Sequence, residues 1–279
     1  MKRLNDIAAC FVLLALSGCI DLDDQLFNPT QLSSYQLSNA VIPDSSRELV
    51  TLNSQGKKIY GVFIKSNGTH GGITVLYCHG NKGNLQYYWD RAEYIYEMGF
   101  NVFIFDYQGY GMSEGKSSEA GLYSDGSVAL SYIRSRGDVN QSKIAFYGFS
   151  LGNAVSINLA ATELAPLVLV AEAPFASSST LVESGTLLDV PSSYVMKGEY
   201  NNAEKIKNVH SSLLILHGEG DTFIDIDKNS TVIYNNANNP KFFIRVPGAN
   251  HSEIPTKMGE QTYISTVADF VINGKIGTP

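Results

Sequence analysis

From residue 46 onward, the pattern of hydrophobic and polar positions predicts strands and helices in alternation. Short segments such as residues 102–105 and 213–216 are apolar at every position, which is typical of parallel strands covered on both faces. The predicted strands lie at residues 47–52, 59–65, 73–78, 101–105, 143–147, 167–171, 213–216 and 242–246. The segments between them have the period of amphipathic helices, and the predicted helices lie at residues 86–98, 119–136, 153–164, 227–236 and 260–272.

An opening hairpin followed by strand–helix units predicts an α/β fold with a mostly parallel eight-stranded sheet and helices on both of its faces. Residues 46–279 are long enough for one domain of this kind. Within it, residues 174–212 form the longest interval without a strong strand pattern, and we expect a small lid there. Residues 19–45 precede the domain and are rich in Asp, Asn, Gln and Ser without a sustained period, so they are predicted to form a tether.

The first 18 residues have the pattern of a secretory signal peptide. Lys2 and Arg3 provide a positive start, and the apolar run at residues 7–16 is shorter than the roughly 20 residues of a membrane-spanning helix. The run ends in Leu16-Ser17-Gly18-Cys19, which resembles a bacterial lipobox and implies cleavage before Cys19 and lipid attachment to it. An ordinary signal peptide with an incidental cysteine is the alternative.

Lipid attachment would place the protein in the bacterial cell envelope. In a Gram-negative host, Ile20 directly after the cysteine favours the outer membrane over the inner membrane, by resemblance to the lipoproteins of such bacteria. The formal net charge of −7 argues against nucleic acid as a partner and against electrostatic binding to anionic lipid. The attached lipid, and not charge, would therefore bind the protein to a membrane.

Cysteine usage and motif content argue against disulfide and metal chemistry. Cys10 would leave with the signal peptide and Cys19 would carry lipid, so Cys78 alone would stay free in the mature chain and no intramolecular disulfide could form. Cys78 ends a predicted strand and is expected to be a small buried hydrophobic residue. The chain has no His-Glu-x-x-His motif and no paired-cysteine cluster, and we predict neither a metal site nor a cofactor.

A Gly-x-Ser-x-Gly motif with a distinctive context identifies the candidate nucleophile. The sequence Gly148-Phe149-Ser150-Leu151-Gly152 lies between a predicted buried strand and a predicted buried helix, which is the context of the strained turn called the nucleophile elbow. Gly111-Met112-Ser113-Glu114-Gly115 matches the same pattern, but the preceding strand ends at residue 105 and no helix follows. Ser150 is therefore the predicted nucleophile, and Ser113 is predicted to be a loop serine.

A serine hydroxyl needs a general base and an acid that orients this base. Of the five histidines, His251 lies in a loop just past the last predicted strand, and catalytic side chains belong at the carboxyl ends of parallel strands. Asp221 follows the strand before it and completes the chain order serine, acid, histidine that is typical of α/β hydrolases. Glu172, at the end of another predicted strand, is the rival acid, and Asp225 is expected to cap the following helix.

Acyl transfer also requires hydrogen-bond donors directed at the developing oxyanion. The backbone N–H of Leu151, which follows the nucleophile, is one predicted donor. The second is expected in the glycine-rich loop after the strand that ends at Cys78, and the N–H of Asn81 is the predicted group.

Five motifs in order along the chain resemble the α/β-hydrolase superfamily. They are His79 to Asn81, Phe105 to Ser113, Gly148 to Gly152, His217 to Asp221, and Gly248 to His251. The resemblance spans about residues 46–273 and is greatest to small-lid serine hydrolases similar to serine aminopeptidases and to membrane-tethered acyl-protein thioesterases. It implies that the Ser113 loop is a habitual, non-catalytic family feature. The sequence departs from the family pattern at Gln108, where an arginine is usual.

The expected function is that of a serine hydrolase that cleaves an ester, a thioester or, as a further option, an amide through an acyl-enzyme on Ser150. The expected partners are a small-molecule or acyl substrate and a membrane bound through the lipid anchor. An aminopeptidase-like peptidase stays open, since Glu183, Asp189 and Glu199 of the lid could bind a substrate amine. A non-catalytic binding lipoprotein on the same fold is the alternative from a different class.

Overall fold

A central sheet organises the part of the chain that the computed structural model describes, residues 26–185 and 198–277. The strands are β1 (Asn28–Pro29), β2 (Arg47–Ser54), β3 (Lys57–Ile64), β4 (Thr74–Cys78), β5 (Lys82–Gly83), β6 (Asn101–Phe105), β7 (Ile144–Phe149), β8 (Val168–Glu172), β9 (Ser212–Gly218) and β10 (Lys241–Val246). The helices are α1 (Trp89–Glu97), α2 (Glu119–Ser135), α3 (Gly152–Thr162), α4 (Ser178–Gly185), α5 (Asn202–Lys205), α6 (Ser230–Asn236), α7 (Ile254–Met258) and α8 (Glu260–Asn273).

Eight of these strands form one sheet in the order β10-β9-β8-β7-β4-β6-β3-β2. The hairpin of β2 and β3 is antiparallel, as is the contact between β3 and β6, whereas the neighbours from β6 to β10 run parallel. The predicted α/β architecture with a mostly parallel eight-stranded sheet is thus confirmed, and each predicted strand lies within two residues of an observed one.

Helices cover both faces of the sheet because its central strands are apolar on both sides. All five residues of β6 are buried. On one face, Leu130 of α2 and Val155 of α3 belong to one core cluster, and on the other face Ile95 of α1 and Phe270 of α8 belong to a second. Burial of each large apolar side chain stabilises the fold by about 1.5–3 kcal/mol, so the two clusters fix the positions of the strand ends.

The predicted tether requires a correction for residues 26–45, because this segment packs on the domain. Phe27 and Ile42 are buried, and β1 pairs in parallel with β5. The indole Nε1 of Trp89 donates a hydrogen bond to the backbone oxygen of Ser38 at 3.1 Å. Main-chain hydrogen bonds and a few separated apolar side chains anchor the segment. Neither produces a periodic pattern, so the sequence did not indicate that the segment packs on the domain.

The lid interval and two helix starts also differ in detail from the sequence prediction. Residues 174–212 contain α4 and α5, and α7 is a further short helix that the pattern did not predict. The predicted helices at 86–98 and 227–236 begin later, at Trp89 and Ser230, because each is preceded by a turn. In the first of these, the N–H of Tyr87 donates to the backbone oxygen of Asn84.

Several predicted features lie outside the described residues: the signal peptide, Cys19, and the lid residue Asp189. Among the residues that are described, no helix has both the length and the apolar character needed to cross a membrane.

Candidate active site

Ser150 lies on the sharp turn between β7 and α3. Its backbone φ is +51°, a left-handed conformation that costs a non-glycine residue about 1–3 kcal/mol and persists only where the surroundings impose it. Its N–H donates to the backbone oxygen of Glu172 at 2.9 Å, and Asn153 Nδ2 donates to the backbone oxygens of both Ser150 (3.1 Å) and Glu172 (2.8 Å). These bonds join the elbow to the end of β8 and offset its strain.

The glycine after the nucleophile is required by a close approach of two backbone segments. A Cβ atom on Gly152 would lie 1.9 Å from the backbone oxygen of Cys78 at the end of β4. Because this oxygen belongs to a central strand, it cannot move away as a flexible side chain could. The glycine therefore allows α3 to begin directly above the sheet, with Ser150 at its N-terminal end.

The structure brings Ser150, His251 and Asp221 together from three separate loops. The Nε2 atom of His251 lies 2.9 Å from Ser150 Oγ, and its Nδ1 atom lies 2.7 Å from Asp221 Oδ2. A carboxylate only accepts hydrogen bonds, so Nδ1 carries the proton of a neutral imidazole and Nε2 is free to accept the serine proton. The serine is 4% exposed and the imidazole 16%, so both are shielded but reachable.

Asp221 is fully buried and strongly hydrogen-bonded. Burial by itself would raise the pKa of its carboxyl group, but hydrogen bonds from His217 and His251 and the charge interaction with His251 lower that pKa well below its ordinary range. The backbone N–H groups of Phe223 and Ile224 donate to Oδ1 at 2.8 and 2.9 Å. The carboxylate is therefore ionised over the whole neutral range and keeps the His251 ring in one tautomer.

His217 is a further member of this cluster that the sequence did not assign to it. Its Nε2 lies 3.0 Å from Asp221 Oδ2 and 3.0 Å from the backbone oxygen of Ile224, and its Nδ1 lies 2.5 Å from Ser230 Oγ. His217 lies in β9, and its contact with Asp221 joins the end of this strand to the candidate acid. The spacing of four residues between His217 and Asp221 was the available signal.

A small cavity opens beside Ser150. It encloses about 190 Å³ up to and including its mouth. Its lining residues are Leu26, Asn81, Ser150, Leu151, Phe175, Leu181, Phe223 and Ile224. Both predicted oxyanion residues thus lie next to the nucleophile. Among the hydrogen bonds of residues 26–185 and 198–277, none uses the backbone N–H of Asn81 or of Leu151, which leaves both donors available to a ligand.

The rival acid, Glu172, lies in a different environment. Its side chain is fully buried, and its Oε1 lies 3.1 Å from an amino group of Arg91, which is 6% exposed. Its Oε2 accepts hydrogen bonds from the hydroxyls of Tyr147 and Tyr263. The same Arg91 donates to the backbone oxygen of Ser252, the residue after His251, at 3.1 Å. Arg91 therefore links the end of β8 to the histidine loop.

The second Gly-x-Ser-x-Gly motif has a structural role. Ser113 is 2% exposed; its Oγ donates to the backbone oxygen of Asp106 at 3.0 Å and accepts from the N–H of Tyr60 at 3.0 Å. Gln108, at the position where the family usually has arginine, donates from Nε2 and from its backbone N–H to the two carboxylate oxygens of Asp125. Gln108 therefore still has a hydrogen-bond partner in this loop, Asp125, although the sequence departs from the family pattern at this position.

Two remaining sequence expectations concern Asp225 and Cys78. The Oδ1 atom of Asp225 accepts from the N–H groups of Asp227 and Lys228 in the turn before α6. The N-cap residue of α6 is Asn229, so the expected capping role of Asp225 is wrong. Cys78 is fully buried, and burial raises the pKa of its thiol, as expected of an unreactive core cysteine. Of the acidic lid residues, Glu199 is exposed.

Comparisons with known proteins agree with this geometry. A family model described as serine aminopeptidase, S33, matches residues 72–181. An uncharacterised Escherichia coli protein, YfhR, is 27% identical over 290 residues, covering 98% of this chain and 96% of its own. The bem46 protein of Schizosaccharomyces pombe is 30% identical over 241 residues, covering 84% of this chain and 77% of its own.

Among solved structures, an esterase of Pyrococcus furiosus superposes with a TM-score of 0.72 at 18% identity, covering 89% of this chain and 97% of its own. At that identity the likeness concerns the fold, whereas the family model and the bem46 relative concern the sequence as well. Together with the elbow on β7 and the parallel sheet beneath it, they show that this chain belongs to the α/β-hydrolase family and is a hydrolase.

Proposed function

We propose that the protein is a serine hydrolase that cleaves carboxylic esters or thioesters through an acyl-enzyme on Ser150. The observation that carries the proposal is the continuous hydrogen-bonded chain from Ser150 Oγ through His251 to Asp221, located beside a cavity with two free N–H donors. This is the arrangement that converts a weakly nucleophilic hydroxyl into a nucleophile at neutral pH.

The first half of the reaction follows from the atoms in contact. Ser150 Oγ attacks the carbonyl carbon while His251 Nε2 accepts the serine proton, and Asp221 stabilises the imidazolium that results. The tetrahedral oxyanion points to the N–H groups of Asn81 and Leu151, each of which is worth about 3–4 kcal/mol in the transition state. The dipole of α3, which begins directly after the elbow, favours the same negative charge.

In the rest of the reaction, His251 acts as an acid and then again as a base, water becomes the nucleophile, and Ser150 Oγ becomes the leaving group. His251 returns its proton to the departing alcohol or thiol, and the acyl group stays on Ser150. A water molecule then replaces the leaving group, transfers a proton to His251 and attacks the acyl carbon. As the second tetrahedral intermediate collapses, His251 returns this proton to Ser150 Oγ, which releases the carboxylic acid and restores the serine hydroxyl.

The cavity favours ester or thioester cleavage over aminopeptidase action. An aminopeptidase needs a carboxylate near the reacting atoms to bind the substrate amine, and the described residues that line the cavity are apolar except for Asn81 and Ser150. Asp189 and the side chain of Glu183 lie outside the described part of the structure. Among the described residues, none of the lining side chains is acidic. A non-catalytic binding role is disfavoured because it gives no reason for the aligned proton path.

The test is covalent labelling of the full-length protein with a fluorophosphonate, together with hydrolysis of p-nitrophenyl butyrate. Ser150→Ala and His251→Ala should both abolish labelling and hydrolysis. Ser113→Ala is the matched control, since it changes the other Gly-x-Ser-x-Gly serine and should keep both signals. Equal hydrolysis by the wild type and Ser150→Ala would refute the proposal, and a folded wild type without labelling would favour the binding-protein alternative.

We also propose that Cys19 carries lipid and anchors the protein in the cell envelope, in the outer membrane of a Gram-negative host. The lipobox supports this. Six residues lie between Cys19 and Leu26, a span of at most about 25 Å if extended. The site would then face substrates at or near the bilayer. Cys19→Ala should release the protein from the membrane fraction; unchanged sedimentation with membranes would contradict the anchor.

A further inference from the structure

The segment that precedes the main sheet lies directly on the oxyanion loop. We call residues 26–32 the N-terminal strap. The N–H of Asn28 donates to the backbone oxygen of Asn81 at 3.0 Å, and that of Thr30 donates to the backbone oxygen of Gly83 at 2.7 Å. In the reverse direction, Asn81 Nδ2 donates to the backbone oxygen of Leu26 at 2.8 Å. The strap is thus a short strand added to the loop that carries a predicted oxyanion donor.

Further contacts fix the strap at its other end. The N–H of Gly111 donates to the backbone oxygen of Thr30, and the N–H of Leu32 donates to the backbone oxygen of Gly111. Just beyond the strap, the hydroxyl of Tyr35 donates to Asp106 Oδ2 at 2.6 Å. With main-chain bonds on two loops, the strap has little freedom to move away from the site, and its side chains occupy defined positions.

Leu26 is the strap residue that reaches the reacting atoms. It lines the cavity beside Ser150, opposite lid and loop residues that include Leu181 and Ile224, and it packs against the main apolar core cluster. The family model begins only at residue 72, so this wall of the cavity comes from a part of the chain outside the conserved motif region.

The size of the cavity sets an upper limit on what it can contain. Its volume of about 190 Å³ includes the open mouth. A methylene group fills about as much space as a water molecule, whose share of the liquid is ~30 Å³. The enclosed part is much smaller, with space for the centre of about one water molecule (about 10 Å³), so a long acyl chain would have to displace a wall or extend out through the mouth.

From these contacts we infer that Leu26 is a specificity-determining residue that restricts the acyl group to short chains. The inference rests on the proposed acyl-enzyme on Ser150. The carbonyl oxygen lies between the N–H groups of Asn81 and Leu151, and the acyl chain then extends along Leu26. Leu26 forms part of the pocket wall, so a smaller side chain at this position enlarges the pocket without altering the catalytic groups.

The experiment measures kcat/KM of the full-length protein for p-nitrophenyl acetate, butyrate, octanoate and dodecanoate. The wild type should prefer acetate and butyrate. Leu26→Ala should raise the octanoate-to-butyrate ratio at least tenfold, because each additional methylene buried in an apolar pocket is worth about fourfold in binding. Leu49→Ala is the matched control, since Leu49 is 57% exposed on β2 and should leave the ratio at the wild-type value.

A second variant covers the case in which Leu26→Ala does not fold. Leu26→Phe enlarges the wall and should lower the butyrate-to-acetate ratio. The inference is overturned if the ratios of the folded Leu26 variants stay within twofold of the wild type, or if the wild type prefers octanoate. These results bear on Leu26 only if Ser150→Ala abolishes hydrolysis. If Ser150→Ala still hydrolyses the esters, the proposed function is refuted instead.

Discussion

The buried ion pair between Arg91 and Glu172 yields the most specific prediction about stability. Arg91→Met removes the charge but keeps a side chain of similar length. The guanidinium is 6% exposed and lies 3.1 Å from a carboxylate without exposed area, so the substitution leaves Glu172 charged and unpaired in the core. Only the hydroxyls of Tyr147 and Tyr263 would still contact it.

The magnitude follows from the cost of an uncompensated buried charge. Removal of one partner of a buried pair costs about 3–5 kcal/mol, against a total stability of about 5–15 kcal/mol for a typical domain. Arg91→Met should therefore lose about a fifth or more of the free energy of unfolding. Adding Glu172→Gln removes the orphaned charge and keeps an acceptor for the two tyrosines, so the double variant should recover at least half of the loss.

Urea unfolding at pH 7 measures these differences. The chain has one tryptophan, Trp89, which is 4% exposed and reports the opening of the core by fluorescence; far-UV circular dichroism provides a second probe. A cost below about 1 kcal/mol for Arg91→Met, or a double variant no more stable than the single one, would refute the reasoning.

Activity separates the stabilising role of Arg91 from its contact with the histidine loop. Neither variant can donate to the backbone oxygen of Ser252. Since small displacements of catalytic groups are costly, kcat of the double variant should stay about tenfold below that of the wild type even where stability recovers. Full recovery of kcat together with stability would show that the contact with Ser252 does not position His251.

Three further predictions concern the catalytic cluster. Gly152→Ala should abolish activity and prevent stable folding, measured by soluble yield and circular dichroism, because its Cβ would meet the Cys78 backbone oxygen at 1.9 Å; a folded, active variant would contradict the close approach. His217→Ala removes a hydrogen bond to Asp221 and should lower kcat about tenfold with KM nearly unchanged, whereas an unchanged kcat would mean that His217 has no positioning role. Asp221→Asn should lower kcat by about 10⁴. Because folding lowers the pKa of Asp221, the ionised carboxylate stabilises the fold above its ordinary pKa of about 3.9, and this stabilisation disappears as the pH falls towards the lower folded-state pKa. The stability difference between wild type and Asp221→Asn in urea unfolding should therefore be largest above pH ~5 and shrink below pH ~4; a difference that is constant with pH would contradict the assignment.

Local pattern was sufficient for the sheet and for the position of each predicted catalytic residue along the chain. Buried parallel strands such as β6 require apolar side chains at every position, and the elbow around Ser150 requires glycine where backbones approach closely. Residues that are adjacent in the sequence meet both requirements, so both features can be recognised from the sequence alone. The order of serine, acid and histidine along the chain is likewise a property of the sequence itself.

Contacts between distant segments were decided only by the tertiary structure. The polar composition of residues 26–45 predicted a tether, yet main-chain hydrogen bonds to the oxyanion loop anchor the segment, and main-chain bonds depend on geometry and not on side-chain type. Leu26 and Ser150 line the same cavity, and Arg91 of α1 contacts Glu172 at the end of β8, because the packed fold brings together groups that no local period relates. The sequence alone determined the scaffold and the candidate chemistry, whereas the fold determined which side chains surround that chemistry and how large a substrate group fits beside it.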